Sequence, residues 1–182
     1  INEKPVYDSL GKELKGDILN ILKEHGISAK VIYRTKDVDS LIKKIVRKDS
    51  SYHDIHDKVG VRIVTHFKRQ MEIIDGLLIE NFKSAIVKRE DMSEELGDKV
   101  FGYQSIHYDL CIIKNGKKYF CEIQLRTVCQ DSWSEISHTL AYKTEIPLPR
   151  RIRREVNALS AVFELADNQF QFIETLISEL PE

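Results

Sequence analysis

The chain is poor in the residues that build stapled or secreted folds. Its 182 residues include three cysteines, Cys111, Cys121 and Cys129, an odd number without CxxC spacing, which argues against a disulfide framework and against a zinc site. Cys111 and Cys121 fall within strand-like apolar alternation and read as buried thiols. No apolar run reaches membrane-spanning length, and the opening Ile1-Asn2-Glu3-Lys4-Pro5 has neither an apolar core nor a cleavage pattern. The expectation is a cytoplasmic protein with no membrane partner. Excess charge is also lacking: 28 basic residues face 29 acidic ones, for a net charge of −1, which argues against a broad polyanion-binding surface. Any phosphate chemistry must therefore rest on individually placed cations.

What is present is a globular composition, 42% hydrophobic and 31% charged, on a chain long enough to bury a substantial core within one domain. Leu10, Leu14, Ile18, Ile21 and Leu22 recur at helical spacing over residues 7 to 25, closed by His25-Gly26. Ala29 to Tyr33 reads as a short strand. A helix carrying Leu41, Ile42, Ile45 and Val46, capped by Asp37 or Asp39, follows it. Val59 to Phe67 reads as a buried strand, Met71 to Leu78 as helix, Ser84 to Lys88 as strand, and the charged stretch 89 to 102 as a mobile loop. Asn115-Gly116 between two strand-like runs, Ser105 to Ile113 and Lys118 to Leu125, is a hairpin signal. A helix over about 127 to 142 precedes Pro147 and Pro149. The last helix, about 150 to 180, spaces Val156, Leu159, Phe163, Ala166, Phe170, Ile173, Ile177 and Leu180 as a heptad seam. That seam can pack on the domain's own sheet, the favoured reading, or on a partner helix. The pattern predicts an α+β fold with a mixed, largely antiparallel sheet flanked by helices.

The most informative stretch is Cys121-Glu122-Ile123-Gln124-Leu125-Arg126. Strand alternation sends Glu122, Gln124 and Arg126 to one face and the apolar residues to the other. By itself this is also the pattern of an edge strand or of a half-solvated strand with its polar face in water. A second cluster, Arg34-Thr35-Lys36, leaves a strand before a helix on which Ser40 and Lys44 share a face; it reads as a phosphate site or as a solvated basic face. A third, Asp57 to Arg62, opens a buried strand with a carboxylate suited to Mg²⁺, or with an ordinary turn acid paired to Arg62. His53, Asp54 and His56 lie just upstream, but a phosphohydrolase would need further ligands that the remaining histidines do not supply. Tyr103, at a loop-to-strand junction, can stack a base or simply fill core; Trp133 reads as core.

In order, Arg34-x-Lys36-x3-Ser40-x3-Lys44, His56-Asp57-x2-Gly60-x-Arg62, Gly102-Tyr103-Gln104-Ser105-Ile106-His107, Glu122-Ile123-Gln124-Leu125-Arg126-Thr127 and Trp133-x4-His138-x3-Tyr142-Lys143 resemble the RelA/SpoT-type nucleotide pyrophosphokinase, or alarmone synthetase, domain. The resemblance implies a nucleotidyltransferase-like synthetase domain over 1–182, with its motif-bearing core at about 30–143, a C-terminal helix at about 150–180 and no hydrolase half. It also implies Mg²⁺-dependent transfer of the ATP β,γ-pyrophosphate to the 3′-hydroxyl of GDP or GTP, with release of AMP.

The same resemblance assigns the residues. Arg34 and Arg62 would sandwich the adenine, and Lys36, Ser40 and Lys44 would hold the ATP phosphates. Asp57 and Glu122 would bind Mg²⁺, with Glu122 also activating the acceptor hydroxyl. Tyr103 would stack the acceptor base and His107 would contact its phosphate or ribose, while Gln124, Arg126, His138 and Lys143 support or contact the acceptor. The chain departs from the pattern at Phe101, where nucleotide-making members carry a small polar residue; Lys99 lies two residues earlier. With the cluster Arg150, Arg151, Arg153 and Arg154, this keeps open a tRNA 3′ end or an adenine nucleotide as the acceptor of a growth-inhibiting toxin. A non-catalytic nucleotide-binding module would be expected to lack Asp57 or Glu122. Terminal helices offer a route to a homo-oligomer.

Overall fold

Burial alternates along Val59–Thr65 and Lys117–Thr127, placing one set of side chains under helices and the other on an accessible face. The computed structural model describes residues 3–48, 55–96, 101–142 and 148–181. Within them the chain runs α1 (Lys4–Glu24), β1 (Lys30–Thr35), α2 (Val38–Lys48), β2 (Val59–Thr65), α3 (Lys68–Phe82), β3 (Ile86–Asp91), α4 (Met92–Leu96), β4 (Ile106–Lys114), β5 (Lys117–Thr127), α5 (Val128–Tyr142) and α6 (Arg150–Ser178). The five strands form one sheet in the order β1-β2-β5-β4-β3. β2 and β5 are parallel and the other neighbours antiparallel, the mixed arrangement expected. No helix among the described residues is long and apolar enough to cross a membrane.

The core lies on one side of this sheet. Leu10, Leu14, Ile18 and Leu22, four residues apart on α1, are all buried, as are Met71, Ile74 and Leu78 of α3. They cover Val59, Val61 and Ile63 of β2, Cys121, Ile123 and Leu125 of β5, and Tyr108 and Leu110 of β4. The α1 backbone approaches the sheet so closely that a Cβ at Gly11 would lie 2.5 Å from Tyr33 Cδ2 and 2.8 Å from Val59 Cγ2. The β4–β5 hairpin turns through Asn115 and Gly116 with φ of 52° and 75°, the left-handed pair that Asn-Gly favours.

Several expectations need correction. β2 stops at Thr65 rather than Phe67, because the Gln70 side chain accepts hydrogen bonds from Thr65 Oγ1 and the His66 N–H at the start of α3. The stretch 89 to 102 is not wholly a loop. β3 continues to Asp91 and α4 follows, with Asp91 accepting from the Ser93 N–H and Ser105 O accepting from the Met92 N–H; residues 97–100 lie outside the described ones. A strand at the sheet edge needs no apolar period: Arg89 points to solvent and grips Asp75 with two hydrogen bonds of 2.9 and 2.7 Å. Trp133 is only half-buried, between α5 and α6, and donates its indole N–H to Val156 O at 2.9 Å.

The α6 seam does not pack on the sheet. α6 lies against α5 and α3 through a face containing Ser160 and Asp167, both buried, while Leu159, Phe170, Ile173 and Ile177 remain exposed. The polar face is drawn in by specific partners: Thr127 Oγ1 donates to Asp167, Gln104 Nε2 to Glu164, and Lys68 Nζ to Asn168.

Candidate active site

The face of the sheet opposite the core is polar, and β5 runs through its middle. Glu122, Gln124 and Arg126 lie beside Gly60, Arg62 and Val64 of β2, while Glu122 and Gln124 face Asp109 and His107 of β4 on the other side. The edge-strand reading of β5 therefore falls, since both of its edges are paired.

Five side chains close a hydrogen-bonded ring on this face. Gln124 Nε2 donates to Glu122 Oε1 at 2.7 Å, and His107 Nδ1 meets the same oxygen at 3.0 Å. His107 Nε2 lies 2.7 Å from the Tyr103 hydroxyl, which accepts from Arg126 Nη2; that nitrogen also donates to Gln124 Oε1 at 2.7 Å. His107 thus bridges the Glu122 carboxylate and the Tyr103 hydroxyl through its two ring nitrogens. Burial pushes the Glu122 carboxyl up, but the hydrogen bonds from His107 and Gln124 outweigh it, so Glu122 sits below the usual carboxylate range and stays ionised. Burial raises the Tyr103 phenol above its ordinary value.

Arg126 is the centre of the arrangement. It is 3% exposed and makes five hydrogen bonds: Nε to Ser105 Oγ, Nη1 to Asp131 Oδ1 and Ser134 Oγ, and Nη2 to Gln124 and Tyr103. Five N–H donors are all that a guanidinium has. Its carbon also lies 5.0 Å from the Tyr103 ring centroid, a cation–π distance. Expected as an acceptor contact or a support, Arg126 has its donors consumed by protein and holds Tyr103 in place.

A second group gathers around Asp57, in the turn before β2. Lys36, just past β1, and Lys44, on α2, each place Nζ 2.6 Å from Asp57 Oδ2. The Lys36 N–H donates to Lys58 O at 2.9 Å, which fixes the backbone beside Asp57. Burial opposes ionisation of Asp57, but the two ammonium groups prevail and hold it below the usual range. Its other oxygen, Oδ1, is buried with no hydrogen-bond partner among the described residues. Ser40 occupies the first turn of α2, one turn before Lys44. Arg34, with its side chain 84% exposed, makes a 3.8 Å contact to Asp37. Arg62 shares its sheet face, one register step away on the neighbouring strand.

The remaining expected residues divide. His138 is exposed on α5, and Lys143 lies outside the described residues. His56 is spent on Asp109, at 3.0 Å from Oδ2, and stacks on Phe120 with ring centroids 4.1 Å apart. No cluster of three or more metal-ligating side chains occurs among the described residues; His53 and Asp54, named in the phosphohydrolase reading, lie outside them. Sequence reasoning missed Asp131 and gave no role to Ser134 and Glu135, which lie in the stretch from Trp133 to His138. Asp131 Oδ1 lies 3.0 Å from Arg62 Nη1, and Glu135 Oε1 lies 2.8 Å from the same nitrogen. The signal was available: Asp131, Ser134 or Glu135, and His138 recur at helical spacing on the helix leaving the site strand.

Comparison with known proteins finds relatives over most of the chain. Residues 24–146 match the family described as "Region found in RelA / SpoT proteins". The chain is 28% identical over 185 residues to GTP pyrophosphokinase YjbM of Bacillus subtilis (strain 168), covering 97% of this chain and 87% of that protein. The crystal structure of small alarmone synthetase 1 from Bacillus subtilis bound to its product pppGpp is similar with a TM-score of 0.81 at 26% identity, over 95% of each chain. That of small alarmone synthetase 2 from the same organism gives 0.82 at 25% identity, over 96% of this chain and 97% of the other.

Proposed function

Because the chain belongs to the RelA/SpoT family, we propose that it transfers the β,γ-pyrophosphate of ATP to the 3′-hydroxyl of GDP or GTP, forming (p)ppGpp and AMP. The observation that carries this reading is the pairing of Asp57 with Lys36 and Lys44 on the sheet face that also bears Glu122 and Tyr103. It brings phosphate-binding cations, a carboxylate with an unused oxygen, an ionised base and an aromatic platform into one place. The relatives support it: YjbM is called a GTP pyrophosphokinase, and small alarmone synthetase 1 has been crystallised with pppGpp.

Moving the β,γ unit requires the acceptor 3′ oxygen to attack the β-phosphorus while the bond from that phosphorus to the α–β bridging oxygen breaks, so that AMP leaves. In-line displacement of this kind depends on positioning and charge neutralisation. Lys36, Lys44 and Ser40 hold the triphosphate, the lysines turning from Asp57 to phosphate oxygens. Arg34 and Arg62 cover the two sides of the adenine, a task suited to planar guanidinium groups. Tyr103, braced by Arg126, stacks the acceptor base; His107 contacts the acceptor's phosphate or ribose, and Gln124, His138 and Lys143 support or contact the acceptor. Glu122, held ionised, receives the 3′-hydroxyl proton as the new P–O bond forms.

The residues present also suit Mg²⁺. Asp57 Oδ1 is a buried oxygen without a partner, and Glu122 supplies a second carboxylate on the same face. One or two protein carboxylates with substrate phosphate oxygens are the set this ion takes. When bound, Mg²⁺ would offset charge on the transferred phosphates.

A second reading keeps the reaction and changes the acceptor. Arg150, Arg151, Arg153 and Arg154 are all exposed at the start of α6, where positive charge opposes the helix dipole, a placement explained by contact with RNA phosphates. Phe101, 49% exposed beside Gly102, is available to the same acceptor. The exposed apolar face of α6 supports association with a second copy. The decisive experiment incubates the protein with β,γ-labelled ATP and, separately, GDP, GTP, AMP, ATP or deacylated tRNA. Label on GDP or GTP with AMP release is expected; label on tRNA alone replaces this reading with the second, and ATP binding without AMP release from any mixture refutes transfer.

A further inference from the structure

One carboxylate oxygen stands between the two halves of the site. Asp131 Oδ1 lies 3.0 Å from Arg62 Nη1 and 3.2 Å from Arg126 Nη1. Arg62 belongs to the donor side, where the proposed function seats the adenine. Arg126 belongs to the acceptor side, where it holds Tyr103 by its hydroxyl and its ring face. The sequence Arg62, Asp131, Arg126, Tyr103 is therefore an unbroken line of contacts from one base platform to the other. We infer that Asp131 is a positioning residue that couples donor and acceptor binding, so that each nucleotide tightens the site for the other. This inference rests on the proposed reading of Arg62 and Tyr103.

The two arginines differ in freedom, and that difference sets the sign. Arg126 is buried with five donors engaged, so it does not move without dismantling the ring. Arg62 is more accessible, and its second anion, Glu135, lies at the exposed edge of α5. An adenine stacking on the Arg62 guanidinium draws that group from the shared oxygen. The charge of Asp131 then falls on Arg126 alone, which stiffens the Tyr103 platform before the acceptor arrives. The reverse order gives the same coupling, because linkage between two ligands is reciprocal. Glu135 touches Arg62 but has no contact with Arg126 among those found, so it bears on the donor side only.

The test measures binding rather than turnover. The affinity of the wild-type protein for α,β-methylene-ATP, whose scissile bridge cannot break, is determined by calorimetry with magnesium, with and without saturating GDP, and then in the reciprocal order. A tightening of about fivefold or more, equal in both orders, is expected. Asp131→Asn, nearly the same shape without the charge, reduces that factor below about twofold, whereas Glu135→Gln weakens the analogue but keeps the factor. Independent binding of the two nucleotides to the wild-type protein overturns the inference whatever the variants do, as does a Asp131→Asn protein that retains the full factor. A wild-type protein that transfers pyrophosphate yet shows no coupling sinks this inference alone; one that transfers to no acceptor sinks the functional reading instead.

Discussion

On the core face of the sheet, Val59, Ile63, Cys121 and Leu125 are sealed under α1 and α3 and are held by shape. On the opposite face, Arg62, Glu122, Gln124 and Arg126 of the same strands and His107 of neighbouring β4 are held by directional bonds, each with named partners. The first kind of order tolerates exchange of one apolar group for another of similar volume. The second does not, because a lost partner leaves a desolvated charge or an unused donor. One strand, β5, carries both kinds on alternate residues, so neighbouring substitutions along it should fail in different ways.

The sharpest separation is expected at Glu122→Gln and Asp57→Asn. Each should cut pyrophosphate transfer by about 10²-fold or more while Glu122→Gln moves unfolding by no more than about 1 kcal/mol. Near wild-type transfer in either variant would remove that residue from its assigned role. Arg126→Gln should break the comparison by damaging both properties. It leaves Asp131 with Arg62 alone and the ring partners uncompensated, for a loss of about 3–5 kcal/mol in urea unfolding, together with a raised acceptor KM. A variant with full stability would mean that the buried network is dispensable. Leu125→Ala, one residue away on the other face, should lose about 2–5 kcal/mol yet keep its activity per folded molecule. An activity loss far beyond the unfolded fraction would show that the two faces are not separable.

The smallest effect contrasts two buried acids. Burial raises the Asp167 carboxyl, so the folded state holds that proton more tightly than the unfolded chain does, and its contribution to stability declines as pH rises through the folded value. Glu122 is lowered, so its contribution is present above the unfolded value and disappears as pH falls. Urea midpoints taken across the acidic range should show Asp167→Asn removing the first trend and Glu122→Gln the second. An unchanged pH profile in either variant would count against that assignment.

How much of this could be read from sequence follows the same division. The buried stripe of α1 and the Asn115-Gly116 turn were legible, because each is written in local spacing or local backbone preference. Alternation also placed Glu122, Gln124 and Arg126 on one face. It could not show that Arg126 would be enclosed, since its partners come from two other segments, Ser105 from the approach to β4 and Asp131 and Ser134 from α5. Only the first part of β3 was read, as Ser84 to Lys88, because its charged end from Arg89 to Asp91 lies on an edge strand and carries no apolar period. The seam of α6 was read correctly as apolar and wrongly as covered, because spacing defines a stripe without saying which side the remainder of the chain occupies. There the polar residues Ser160 and Asp167 took the inner side, with Thr127 as the partner of Asp167.

The parallel pairing of β2 with β5 has a consequence for how the molecule is made. Gly60 and Glu122 sit side by side in the sheet but far apart in the chain, with α3, β3 and the first arm of the hairpin between them. Contacts of such long range close late, after local helices and the hairpin have formed. Asp57 and Glu122 therefore meet only when the β2–β5 junction closes, and a partly folded chain has neither the proposed metal site nor the proposed nucleotide site to offer. Nucleotide binding should accordingly slow amide exchange first along that junction, making substrate a monitor of the last step of folding.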